Sequence, residues 1–147
     1  MIRRRDLIVA VVSVAATSAA LQFAHSESAL MGSRAFEWNA IAAKDTDVGQ
    51  LRSFFRAPTA TLNELELHVT TLKPGISSHA PHKHPNEELV IIKEGTLEAL
   101  VNGKYERVGP GSVIFNASNQ LHSIRNVGDG PATYHVINWT SATTPKQ

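Results

Sequence analysis

An all-β domain, a sandwich or barrel of short strands, is the fold class that the sequence predicts. Three observations predict it. Residues 63–72, NELELHVTTL, alternate apolar and polar side chains, the period of a half-buried strand. Asn102-Gly103 separates two short strand-like runs, the dipeptide that best marks a tight hairpin. Further short runs follow, punctuated by turn residues at Lys73-Pro74-Gly75, Gly109-Pro110-Gly111 and Gly128-Asp129-Gly130-Pro131. Many short strands with turn signals between them make a sandwich or a barrel rather than an α/β fold.

Residues 1–24 read as an export signal. Arg3 to Arg5 precede an apolar run that ends in small residues, the order found in secretory signals. Arg4-Arg5-Asp6-Leu7-Ile8 resembles a twin-arginine signal,. The expected location is therefore exported, in the periplasm, with no membrane contact after cleavage. Uncleaved, the same segment would anchor the chain, although Leu7 to Ala24 is only just long enough to span a bilayer,. Cleavage after Ala24 removes three arginines and one aspartate, so the small positive charge of the whole chain belongs to the signal,.

Residues 25–35 form a short polar lead, 36–140 the β domain and 141–147 a polar tail. A helix is plausible only around Ile41 to Asp47. The strand at 63–72 places Leu65, Leu67 and Val69 on one face and Glu64, Glu66 and His68 on the other, with His68 expected to be exposed. Glu88 to Lys93 is a β-branched run that ends at Gly95, and 96–101 pairs with 105–108 across the Asn-Gly turn. Residues 112–115, 121–127 and 132–139 complete the set. Trp38, Phe54, Phe55, Phe115 and Trp139 are expected in the core or in a dimer interface.

Composition narrows the function. A chain of 147 residues with 42% hydrophobic and 18% charged residues is a soluble globular protein of one domain,. No long basic run lies outside the signal, so a nucleic-acid partner is not expected,. The absence of cysteine removes disulfides and thiolate metal sites,. The HExxH pattern of zinc proteases does not occur,.

The chemistry is concentrated in HAPHKHPNEE, residues 79–88. His82 and His84 are two apart and would share a face on a strand. Glu88 begins the next strand across the turn at Pro85-Asn86. His122 alternates with Ile124 and points inward if Ile124 does. Three imidazoles and a carboxylate converging inside a barrel make a site for a divalent transition metal. Such groups are otherwise costly beside an apolar interior.

These residues resemble the two motifs of the cupin family. In the first, Gly75 precedes His82-Lys83-His84, three residues separate His84 from Glu88, and six separate Glu88 from Gly95. The interval after Gly75 is one residue longer than the family's usual spacing. In the second, Gly111, Ala117, Asn119, His122 and Asn126 keep the frame, with Ala117 at the usual proline and Asn119 at the usual second glycine.

The resemblance spans about Leu62 to Trp139. It implies a double-stranded β-helix, or jelly-roll barrel, and metal ligands His82, His84, Glu88 and His122. It also implies one bound divalent ion among Fe, Mn, Cu, Co, Ni or Zn. His79, Asn126 and His135 are candidates to hold the imidazoles from behind. His79, Tyr134 and His135 are candidates for acid–base work, while Glu87 faces away from Glu88.

Two functions stay open: a small-molecule metalloenzyme, of dioxygenase type or of Lewis-acid isomerase or lyase type, and a non-catalytic cupin that binds a small ligand as sensor or carrier. Relatives of this size pair through an outer sheet, which implies a homodimer.

Overall fold

The computed structural model describes residues 29–146, so the export-signal reading lies outside the described residues. Among the described residues a 3₁₀ turn at Trp38–Ala40 is followed by nine strands: β1 (Lys44–Thr46), β2 (Gly49–Ala57), β3 (Glu64–Leu72), β4 (Glu87–Glu94), β5 (Leu97–Val101), β6 (Lys104–Val108), β7 (Val113–Asn116), β8 (Ser123–Asn126) and β9 (Ala132–Thr140). They form a six-stranded sheet in the order β1-β2-β3-β9-β4-β7 and a three-stranded sheet in the order β6-β5-β8. All pairings are antiparallel. Two antiparallel sheets with these crossovers make a jelly-roll sandwich, the expected fold class.

Asn102 and Gly103 both have positive φ, 49° and 76°. That is the backbone of the tight turn joining β5 to β6, whose twist matches the flanking strands. Gly95, with φ 87°, turns the chain from β4 towards β5. A Cβ there would lie 2.5 Å from the Ala132 Cβ and 2.9 Å from the Pro131 carbonyl oxygen. Only glycine fits that approach.

The helix expected around Ile41 to Asp47 is not formed. Glu37 accepts the Ala40 amide at 2.8 Å and closes a single 3₁₀ turn. The chain then enters the β1–β2 hairpin instead. These strands escape a pattern reading for physical reasons. β1 is a three-residue edge strand, exposed throughout. β2 carries a bulge between Ser53 and Phe55 that breaks its alternation and leaves two phenylalanines adjacent,.

The larger sheet buries a face that looks polar in sequence. His68 and Thr70 of β3, Tyr134 and Val136 of β9 and Glu88 of β4 look into the space between the sheets. Beyond them the core closes around Leu72, Val90, Ile92, Leu97, Ile114, Ile124 and Ala132. His68 is therefore not the exposed strand residue that alternation alone suggests.

The outer face carries Leu67, Leu89, Ile137 and Phe115 in register. Part of it is covered by Trp38, whose ring lies between the guanidinium of Arg52 at 4.5 Å and the ammonium of Lys93 at 4.1 Å. His135 stands on this outer face, 6.3 Å from the Trp38 ring.

Candidate metal centre

The histidine-rich loop between β3 and β4 is stitched to the segment that leads into β8. His82 and His122 exchange backbone hydrogen bonds of 3.1 and 2.9 Å. The Asn119 amide donates to the His84 carbonyl at 2.8 Å. The Ser118 hydroxyl donates to the Pro85 carbonyl at 2.6 Å. Asn119 adopts φ 59°, a left-handed conformation that Asn tolerates better than most side chains. It thus supplies the turn for which the related motif uses glycine. Alternation then settles the facing of the next residues: Leu121 is exposed, His122 is buried, and Ile124 is buried with it.

The structure brings His82, His84 and His122 together, with one ligand atom from each within 4.8 Å of the others. Glu88 joins them, its two oxygens 3.8 Å from His84 Nε2 and 3.9 Å from His122 Nε2. Those gaps are too long for hydrogen bonds.

The other ring nitrogens are held from behind. His84 Nδ1 donates to the Asn86 carbonyl at 2.9 Å, and His122 Nδ1 to the Gln120 carbonyl at 2.8 Å. Such bonds fix the tautomer and leave Nε2 as a lone-pair donor towards the centre. His122 Nε2 and His82 Nδ1 are buried without a hydrogen-bond partner. A buried imidazole nitrogen left bare is costly unless something occupies it. Burial, reinforced by His79, His122 and His84, holds the His82 imidazole below its usual pKa against the opposing pull of Glu88. The neutral form is the one that ligates. The donor set fits a divalent transition metal on these grounds.

Asn116, at the end of β7, donates to Glu88 Oε1 at 2.9 Å and orients the carboxylate. Pattern reading missed it. The available signal was the β4–β7 register, which places Asn116 opposite Glu88.

The expected supporting residues divide. His79 packs edge-on against His82, ring centroids 4.0 Å apart, at the exposed mouth of the cluster. Tyr134 is buried, and burial pushes its phenol up to about 12 despite hydrogen bonds to Ser78 and Thr70. His135 does not take part, because it lies on the opposite face of β9 against Trp38. Asn126 does not hold an imidazole either. Its amide donates to the Leu72 and Gly130 carbonyls and accepts from the Gly128 amide, tying off the far end of the barrel.

A cavity of about 270 Å³ opens onto the centre. Its polar lining comes from His68, Thr70 and Tyr134 together with Glu88 and His122 of the cluster. Leu51, Ile124 and Val136 supply an apolar wall. The size is just below the usual range of small-molecule sites, about 300–1,000 Å³.

A family model described as Cupin domain matches residues 68–138. Among solved structures, an RmlC-like cupin from Shewanella frigidimarina is similar with a TM-score of 0.62 and 12% identity, covering 76% of this chain and 95% of that one. A predicted oxalate decarboxylase from Thermotoga maritima is similar with a TM-score of 0.59 and 20% identity, over 73% and 99% of the two chains. A sugar phosphate isomerase from a cupin superfamily, from Silicibacter pomeroyi, has a TM-score of 0.59 and 19% identity, over 74% and 76%. At these identities the likeness is one of fold. No curated protein matches the sequence.

Proposed function

Because the chain belongs to the cupin superfamily, we propose that it binds one divalent transition metal on His82, His84, Glu88 and His122 and acts on a small molecule as an exported metalloenzyme. The observation that carries this reading is the geometry of the centre. Three imidazoles converge within 4.8 Å, two of them fixed from behind by backbone carbonyls, and a carboxylate stands beside them. The fold alone chooses no reaction, since one fold hosts many chemistries.

When bound, an iron, manganese, copper, nickel or zinc ion would supply a Lewis acid or an oxygen-handling centre. The chain's own residues do the rest. Asn116 holds Glu88 in one orientation. Leu51, Ile124 and Val136 limit the cavity to a compact ligand and exclude water from one side. Tyr134, neutral at physiological pH, offers a hydroxyl to that ligand.

A panel of small hydroxy acids, phenols and sugars tests the reading in the metal-loaded protein. Turnover that His84→Ala abolishes supports the enzyme. Saturable binding without product would replace it with a sensor or carrier.

Export and assembly belong to the same proposal. Twin-arginine export would let the metal be chosen before translocation, outside the competition that favours copper and zinc. Replacing Arg4 and Arg5 with lysine should then block export; unchanged export contradicts it. Val113 and Phe115, 57% and 51% exposed on the outer face of β7, would be covered in a homodimer. Sedimentation equilibrium of the mature protein tests that, and a monomer at micromolar concentration contradicts it.

A further inference from the structure

We propose that His68 is the proton-transfer group of this site, held in one tautomer by Glu66. The inference rests on the metal-centre reading above and adds the acid–base partner that the centre lacks. His68 Nδ1 lies 3.0 Å from Glu66 Oε1. Glu66 is itself anchored, because its second oxygen accepts from Arg56 Nη2 at 3.0 Å. Arg56 is held in turn by Glu64 at 3.1 Å. A carboxylate on Nδ1 makes that nitrogen the donor and leaves Nε2 as the acceptor. Both side chains are about one-fifth exposed, sheltered but not sealed.

Placement turns this pair from a surface ion network into a candidate for chemistry. His68 lines the same cavity as Glu88 and His122. On the inner face of the sheet Glu66 and Glu88 flank Asn138, two strands apart, which is about 10 Å,. His68 stands one pleat further along β3, opposite Val136. A compact ligand held at the histidine cluster would thus fill the space between the cluster and His68. Neither of the other nearby groups can play the part. Tyr134 is neutral and cannot take up a proton at physiological pH. His79 also lines the cavity, but it is exposed at the mouth, packed on His82, and its Nδ1 meets the Ala80 carbonyl rather than a carboxylate that would balance an imidazolium.

The step needs no oxidant or reductant. A proton leaves the carbon next to a carbonyl of the ligand for His68 Nε2, and the bonding electron pair stays in the ligand's carbonyl system. The imidazolium that forms is balanced by Glu66. Return of a proton from Nε2 to the same carbon gives exchange with solvent; return to the neighbouring carbon, with the hydroxyl proton passing from the one oxygen to the other as the new carbonyl forms, gives isomerisation. The isomerisation requires a small α-hydroxy carbonyl compound, and that is the substrate class the proposal assigns.

Two measurements test this. The first is ¹⁵N NMR of the imidazoles in the metal-free protein at pH 8. The Nδ1–H tautomer of His68 is expected in the wild type, and a mixture of tautomers in Glu66→Ala. An Nε2–H tautomer in the wild type would overturn the proposal. The second is ¹H NMR of hydroxyacetone in D₂O with zinc-loaded protein. Exchange of the α-protons is expected, falling about 10²- to 10⁴-fold in His68→Gln while zinc content stays unchanged. Equal rates in the two proteins, or no exchange above buffer by the zinc-loaded wild type, would overturn it. If zinc does not bind, the exchange is measured with whichever of iron, manganese, copper or nickel does; if none binds, the metal-centre reading falls and this proposal falls with it, and the tautomer experiment, which needs no metal, separates the two failures.

Discussion

Replacing Asn116 with leucine removes one hydrogen bond and changes little volume. The bond is 2.9 Å long, its acceptor is Glu88 Oε1, and Asn116 is buried. A hydrogen bond to a charged group contributes about 1.5–3 kcal/mol. The bond is already made in the metal-free protein, so what the metal loses is the fixed orientation of Glu88, and partners that orient a ligand are worth roughly 10- to 100-fold in metal affinity. Competition between the protein and a chromophoric chelator for zinc at pH 7.5 gives the ratio directly. Circular dichroism of the metal-free variant checks that the fold persists. A zinc affinity within twofold of wild type, in a folded variant, would refute the reasoning: either Asn116 does not orient Glu88, or Glu88 is not a ligand. Asn116→Asp supplies the contrast. Two carboxylates at that distance share a proton in the metal-free protein. Metal binding must then release it, and affinity should fall more steeply with decreasing pH than in the wild type.

Other outcomes follow from the same geometry. Gly95→Ala forces a side chain into positive φ, at roughly 1–2 kcal/mol, and against Ala132 and Pro131, at roughly 1–3 kcal/mol more,. The melting temperature should drop by about 10 °C or more, and a drop under 3 °C contradicts the packing described. Burial, with Lys93 close by, lowers the pKa of His135. Between that lowered value and 6.5 the unfolded chain binds more protons than the folded one, so stability is full above 6.5 and is lost as pH falls. His82 acts in the same direction in the metal-free protein. His135→Gln should therefore flatten the fall in melting temperature between pH 7.5 and 5, and an unchanged slope would show that His135 is not held neutral against Trp38.

Much of this was legible in the sequence because single residues carried it. Asn102-Gly103 announced its hairpin, and the spacing from His82 to Gly95 announced the cluster. Alternation with Ile124 turned His122 inward. The structure departs from the pattern where tertiary context outweighs local signal. A bulge hid β2, and three polar edge residues hid β1. The polar face of β3 is the inner one because His68 and Thr70 supply a polar wall to an otherwise largely apolar cavity, so hydrophobicity pointed the wrong way for His68. Leu72, on the same face and fully buried, was the signal that would have corrected it. His135 and Asn126 could not be placed from sequence: the first depends on Trp38 crossing the outer sheet, the second on carbonyls of Leu72 and Gly130 that meet only in the closed barrel.

The central claim is that His82, His84, Glu88 and His122 hold one metal ion. Elemental analysis of the mature protein, purified without chelators and run beside His84→Ala, tests it most directly. Near one equivalent of a single transition metal in the native protein, and its loss from a folded His84→Ala, is the expected result. A native protein that carries no metal and takes up none on reconstitution with iron, manganese, copper, nickel or zinc would contradict the account.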